Sequence, residues 1–270
     1  MRWKRWAAAL TCSALLLLYA DGLTVQAAPA VSSLSAVVYE PESGLFLYEK
    51  DARTARPMAS TTKLMTALLT VENLDPNAIV TVPTAALPVE GSQIGLKAGR
   101  ETTVRDLLAG LLLASGNDTA NALALLMEDS LPSFAERMNR RALTLGMTDS
   151  LFVTPSGLDE GGHSASARDM ALLGAAVLTK PLLAELCASK VETIAVGGVK
   201  MTVSNHNKLL KLYDGTIGLK TGFTKKSGAL PCFGCLPRRC YTDCRYAERA
   251  GRLAGSYEFV QCRLFTGGIG

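Results

Sequence analysis

The stretch Pro57-Met58-Ala59-Ser60-Thr61-Thr62-Lys63-Leu64-Met65-Thr66 sets the terms for the rest of the chain. From Thr61 onward the residues read as helix, so Ser60 and Lys63, three apart, share one face. The run continues through Leu64, Leu68, Leu69 and Val71 and stops before Pro76. A serine hydroxyl is a weak nucleophile until a base takes its proton. A lysine can be that base once burial lowers its pKa, by up to roughly 3–5 units. Ser60 and Lys63 therefore read as a compact nucleophile–base pair. Taken alone, a capped helix start with a solvated lysine is the plainer reading.

The N-terminus reads as an export signal. Arg2, Lys4 and Arg5 precede an apolar stretch, Ala7 to Ala20, that is too short to span a bilayer comfortably. Asp21 and Gly22 interrupt that stretch, and Val25-Gln26-Ala27 offers the small residues of a cleavage site. Residues 1–27 are expected to be removed outside the cytoplasm, leaving a mature start near Ala28. The net charge is +4. The signal holds +2 of it and the last 42 residues hold +3, which leaves −1 between them. No basic patch argues for nucleic acid. Hydrophobic content of 48% with ordinary Gly and Pro usage marks a globular chain of one or two domains.

Ser33 to Tyr39 and Leu45 to Glu49 read as a hairpin about Glu40-Pro41-Glu42-Ser43-Gly44. The Ser60 helix follows. Ile79 to Gly99 reads as short strand and loop. Then comes a helical block: a helix capped by Thr102 or Thr103, a break at Ser115-Gly116-Asn117, a helix from Asp118 to Glu128, and one opened by Pro132 and closed by Gly146. Phe152 to Ser166 is a loop, and Arg168 to Leu178 a helix. Val191–Val196 and Lys200–Ser204 form a second hairpin. Asn205-His206-Asn207 and Gly218-Leu219-Lys220-Thr221-Gly222-Phe223 come last.

Three motifs thus stand in order: Ser60-Thr61-Thr62-Lys63, Ser115-Gly116-Asn117 and Lys220-Thr221-Gly222. Singly, the second reads as a plain helix–helix turn and the third as a strand end. Together they are the set used by penicillin-binding proteins and β-lactamases. Ala59 to Leu69, Gly91-Ser92 with Gly95-Leu96-Lys97-Ala98-Gly99, Ser115 to Asp118, Pro155-Ser156-Gly157-Leu158 followed by His163, and Asn205-His206-Asn207 add to the match. Roughly from Ser33 to Gly228, the chain resembles the low-molecular-weight D-alanyl-D-alanine carboxypeptidases.

The resemblance implies an α+β, β-lactamase/transpeptidase-like fold: an antiparallel sheet with flanking helices plus an all-helical subdomain, the active site between them. It implies removal of the terminal D-alanine from a peptidoglycan pentapeptide. Ser60 is the nucleophile and Lys63 the base; Ser115 relays the proton and Asn117 orients Lys63 or the substrate amide. Lys220 and Thr221 suit a terminal carboxylate, and Gly222 admits the substrate backbone. The N–H groups of Ser60 and Phe223 form the oxyanion hole. The implied partners are the D-Ala-D-Ala stem peptide and β-lactams, without cofactor, metal or nucleic acid. His163 and His206 read as structural. β-Lactamases add a Glu four residues before an Asn in the later loop. Here Glu136 is followed by Arg140, so penicillin should acylate Ser60 and stay.

After Gly228 the chain changes character. Lysine vanishes, and five of the seven cysteines gather at 232, 235, 240, 244 and 262. A zinc or disulfide module is one reading. A one-base insertion near the codons of Gly228–Ala229 explains more, because shifted family codons yield Ala229 to Gly234 and Asp243 to Ala254. On this reading residues 28–228 are an incomplete catalytic domain and 229–270 an aberrant tail. The family's smaller C-terminal β domain and membrane-binding helix are then absent. The last sheet strands are expected to be missing, leaving the Lys220 strand without neighbours. A catalytically impaired remnant that still binds peptidoglycan or penicillin is the alternative.

Overall fold

The computed structural model describes residues 31, 33–158, 160–212, 216–224, 228–235 and 257–262. Residues 1–27, expected from the sequence to be an export signal, and residues 236–256 and 263–270 lie outside them. The first hairpin pairs β1 (Ser35–Glu40) antiparallel with β2 (Leu45–Lys50). A 3-10 turn, Ala59–Thr62, then leads into α1 (Lys63–Asn73). α1 is the centre of the core, with every residue from Lys63 to Thr70 buried. It can be enclosed on all sides because Leu64, Met65, Ala67, Leu68 and Leu69 are apolar and its polar face is satisfied: Lys63 donates to the Ser156 carbonyl, Thr66 to the Pro155 carbonyl and Thr70 to the Thr66 carbonyl.

β3 (Ile79–Thr81) and β4 (Glu101–Thr103) flank the long 82–100 loop. The helical block follows as α2 (Val104–Leu112), α3 (Asn117–Leu125) and α4 (Leu131–Thr144), and then α5 (Ala167–Leu178). All four pack on α1. Three begin at hydroxyl caps: the Thr103, Ser130 and Ser166 hydroxyls accept from the N–H groups of Asp106, Ser133 and Asp169. Such caps satisfy donors that a helix start leaves without partners. Two helices among the described residues were not expected, the short Leu209–Leu212 and a longer one. α6 (Pro181–Ala188) has Pro at its first position, where the missing N–H costs nothing.

The second hairpin, β5 (Val191–Val196) and β6 (Val199–Ser204), is not part of the first sheet. It joins β3 and β4 in a separate antiparallel sheet of order β3-β4-β5-β6. The main sheet takes β7 (Thr216–Gly218), β8 (Thr221–Thr224), β9 (Gly228–Cys235) and β10 (Tyr257–Cys262). Its order is β2-β1-β10-β9-β7, with β8 also on β9. α5 covers β1 and β10. The architecture is the expected α+β one.

The expectation that the last strands are missing is corrected. β9 runs antiparallel to β8, pairing Thr221 with Pro231 and Phe223 with Ala229. β10 fills the place between β9 and β1. The reason is that ladders are made by main-chain N–H and C=O groups, which every residue but proline carries whatever its side chain. Residues after Gly228 leave two marks on the sheet. Pro231 has no N–H to give its ladder. β10 is parallel to both neighbours, where the resemblance implied an antiparallel sheet. A parallel neighbour needs a long connection, and residues 236–256 provide the length.

Candidate active site

The 3-10 turn decides the geometry of the pair. With three residues per turn, positions i and i+3 eclipse. Ser60 therefore sits directly over Lys63, and the Lys63 Nζ lies 3.0 Å from the Ser60 Oγ. The turn opens with Ala59 at φ +45°, a left-handed conformation that a non-glycine residue adopts only when its surroundings hold it.

Lys63 is fully buried. Its Nζ donates to Asn117 Oδ1 at 2.7 Å and to the Ser156 carbonyl at 2.6 Å. Burial pushes its pKa well below 10.5; the nearby Lys220 charge adds to this, and Asp118 opposes it. Asp118 is itself buried, and its carboxylate accepts from the N–H groups of Ile94, Gly95, Leu96 and Thr119. Asn117 donates its own N–H to the Ser92 carbonyl at 2.7 Å and its Nδ2 to Glu90 O at 2.6 Å. The start of α3 thus anchors the loop over residues 90–96 while presenting Asn117 to Lys63. Ser115 lies just before α3, buried, in a left-handed conformation at φ +61°.

Lys220 is buried between β7 and β8, and its Nζ donates to the Thr221 carbonyl at 2.7 Å. Its charge also lowers the pKa of the partly exposed His206, after burial, and opposes the burial that pushes the Cys187 thiol up to about 12. β8 crosses the 3-10 turn closely. A Cβ added to Gly222 would lie 3.1 Å from the Ser60 N and 3.2 Å from the Thr61 N. Phe223 follows in β8. Ser60, Lys63 and Asn117 are hydrogen-bonded together, and Gly222 packs against the turn. Lys220 acts on Lys63 through its charge, and Ser115 stands two residues before Asn117 in the chain.

Two partners were invisible in the residue pattern. Ser156 acts through its carbonyl, so its side chain gave no signal. His163, read as structural, is buried and hydrogen-bonded to Thr62 inside the 3-10 turn. Its sequence signal was the Pro155-to-His163 segment, already part of the resemblance. Were Ser60 the nucleophile and its N–H an oxyanion donor, as the resemblance implies, Gly222→Ala would crowd that N–H and lower acylation roughly ten- to hundredfold without unfolding the chain. Labelling rate and thermal melting, measured side by side, check this.

Residues 23–233 match the peptidase S11 family, D-alanyl-D-alanine carboxypeptidase. The chain is 39% identical to D-alanyl-D-alanine carboxypeptidase DacB2 of Mycobacterium tuberculosis, over 70% of this chain and 65% of that protein. It is 37% identical to DacF of Bacillus subtilis, over 70% and 50%. It therefore spans about half to two thirds of these relatives. Among solved structures, the Streptomyces K15 DD-transpeptidase superposes with a TM-score of 0.72 at 30% identity, covering 77% of this chain and 86% of that one. The fold is of the transpeptidase-like type expected.

Proposed function

The chain belongs to the peptidase S11 family of D-alanyl-D-alanine carboxypeptidases, and on that premise we propose that Ser60 is the nucleophile of a serine DD-carboxypeptidase that β-lactams acylate. One observation carries the reading: the environment of the Lys63 amine. A neutral amine has two N–H bonds and one lone pair. The Asn117 and Ser156 oxygens take the two N–H bonds, which leaves the lone pair facing the Ser60 hydroxyl 3.0 Å away. Burial and the Lys220 charge favour that neutral form. The geometry is therefore that of a base already aimed at its proton.

In the proposed reaction Ser60 Oγ attacks the carbonyl between two D-alanines as Lys63 takes the hydroxyl proton. The tetrahedral oxyanion is held by the N–H groups of Ser60 and Phe223. The C–N bond breaks, Ser115 relays the proton to the leaving D-alanine amine, and water hydrolyses the ester. Lys220 and Thr221 take the terminal carboxylate of the peptidoglycan stem peptide. A penicillin follows the same path to the ester and stays. Labelled penicillin should modify the purified protein at Ser60, and Ser60→Ala should not be modified. Absence of labelling on folded wild-type protein would overturn the proposal.

The impaired-remnant reading draws on Pro231, which pairs with Thr221, and on the parallel β10 on the far side of β9. D-alanine release from a pentapeptide separates the two: labelling without release marks a binding remnant, and labelling with release an enzyme. The domain assignment, with catalytic residues 28–228 and a frame change after Gly228, stays a proposal, and the family match over residues 23–233 overlaps it at both ends. Resequencing the gene across Gly228–Ala229 tests it; an intact frame removes the insertion. Export is proposed on the first 27 residues. N-terminal sequencing of protein secreted by the native host should begin near Ala28, and retention of Met1 would contradict it.

A further inference from the structure

His163 is 4% exposed and touches the nucleophile turn from behind. Its Nδ1 accepts from two main-chain donors, the Val153 N–H at 2.9 Å and the Thr154 N–H at 3.3 Å. An atom that receives two N–H donors carries no proton, so the ring is neutral and protonated at Nε2. Nε2 lies 2.7 Å from the Thr62 Oγ1 and is therefore the donor there. The Thr62 hydroxyl, having accepted, spends its own proton on the Ala59 carbonyl at 2.7 Å. The direction of every bond in the relay is thus set by the two loop amides.

The Ala59 carbonyl belongs to the same rigid peptide unit as the Ser60 N–H. The Ser60 nitrogen lies on the side of β8, 3.1 Å from where a Cβ on Gly222 would stand. The far end of the unit is held by Thr62. Ala59 sits at φ +45°, so the unit has a conformational reason to rotate away if the hold is lost. We infer that His163 is a positioning residue for the oxyanion hole: as the Nε2-protonated ring it fixes the Thr62 hydroxyl on the Ala59 carbonyl and so aims the Ser60 N–H. The same ring pins the loop that delivers the Ser156 carbonyl to Lys63. The inference rests on the acyl-enzyme reading of Ser60.

Two variants divide the ring's functions. In His163→Asn the side-chain oxygen replaces Nδ1 and keeps the loop amides satisfied, but nothing reaches Thr62. In His163→Gln the amide reaches the Nε2 position and donates to Thr62, while the loop amides lose their acceptor. Thr62→Val removes the relay with little change of shape, and Thr62→Ser restores it. The measurement is the acylation rate of folded protein at saturating labelled penicillin, with the affinity of the preceding non-covalent complex.

Positioning predicts that His163→Asn and Thr62→Val slow acylation about ten- to hundredfold, with affinity changed by less than about threefold. His163→Gln and Thr62→Ser should recover most of the rate. A purely loop-holding role predicts the reverse, a normal Asn variant and a defective Gln variant, and that result would overturn the inference. Histidine-15N correlation spectra give a readout free of activity: a pyridine-type Nδ1 and a protonated Nε2 are expected for His163, and a protonated Nδ1 overturns the relay. If the wild-type chain itself takes no label, the acyl-enzyme reading has failed rather than the role of His163 within it.

Discussion

Lys63→Met is expected to slow acylation of Ser60 by labelled penicillin roughly 10²–10⁴-fold, the usual worth of a positioned proton acceptor. Methionine nearly matches the volume of lysine and leaves α1 packed, so the loss reports chemistry. Its effect on stability has two opposed parts. The variant strands the Asn117 Oδ1 and Ser156 carbonyl without their donor, at about 1–3 kcal/mol for each buried acceptor left unpaired. It also relieves the fold of an amine that burial disfavours in its charged form.

The pH dependence separates these parts. Unfolded, Lys63 keeps its proton up to about its ordinary 10.5; folded, it releases it well below that. Between the two values the unfolded chain binds more protons, so the wild-type fold gains stability as pH rises. Below the folded value both states are charged and the cost of burial is complete. The methionine variant lacks this term. The melting temperature of wild type minus variant should therefore increase as pH is raised from the folded value towards 10.5, whereas the wild-type acylation rate should climb as pH passes through the folded value and level off above it. A difference that stays flat would show that Lys63 holds its proton throughout. A variant labelled at the wild-type rate would remove Lys63 as the base.

What was legible in the sequence were features carried by side chains at fixed spacing. Ser60 and Lys63 announced themselves because three residues bring them onto one face. The structure tightens this: a 3-10 turn, not an α-helical one, stacks them. Thr103 was legible as one of two candidate caps by the same logic, while the caps Ser130 and Ser166 were not singled out. What was not legible is carried by the main chain. The Ser156 carbonyl completes the amine's cradle, and no serine pattern could show it. β9 and β10 pair although their residues read as foreign to a strand, because ladder bonds ignore side chains. The small sheet β3-β4-β5-β6 joins strands separated by the whole helical block, a long-range pairing that local periodicity does not encode. His163 fell between these classes. Its residue type was visible, but its meaning depends on which ring nitrogen the loop amides face.

The same peptide unit that His163 steadies from one side is confined from the other by Gly157, and Gly157→Ala should be the most damaging small substitution in the chain. Gly157 has φ +85°, and an added Cβ would lie 1.9 Å from the Ala59 carbonyl oxygen and 2.7 Å from the Thr62 Oγ1. The left-handed backbone costs a non-glycine residue roughly 1–2 kcal/mol. The forced overlap adds roughly 1–3 kcal/mol, since neither neighbour is the end of a flexible side chain. Two retreats are open. The 154–157 turn can withdraw, taking the Pro155 carbonyl from Thr66 and the Ser156 carbonyl from Lys63. Alternatively the Ala59–Ser60 unit can rotate, carrying the Ser60 N–H away from β8. Either route damages the site, so labelling per folded molecule should fall along with the urea midpoint. Gly99→Ala is the control, because Gly99 has φ +73° with nothing within 4 Å of an added Cβ and should lose only the backbone term. The gap between the two midpoints measures the contact with Ala59. A Gly157→Ala protein no less stable than Gly99→Ala, and labelled at the normal rate, would mean that the turn can yield without disturbing either the base or the oxyanion donor.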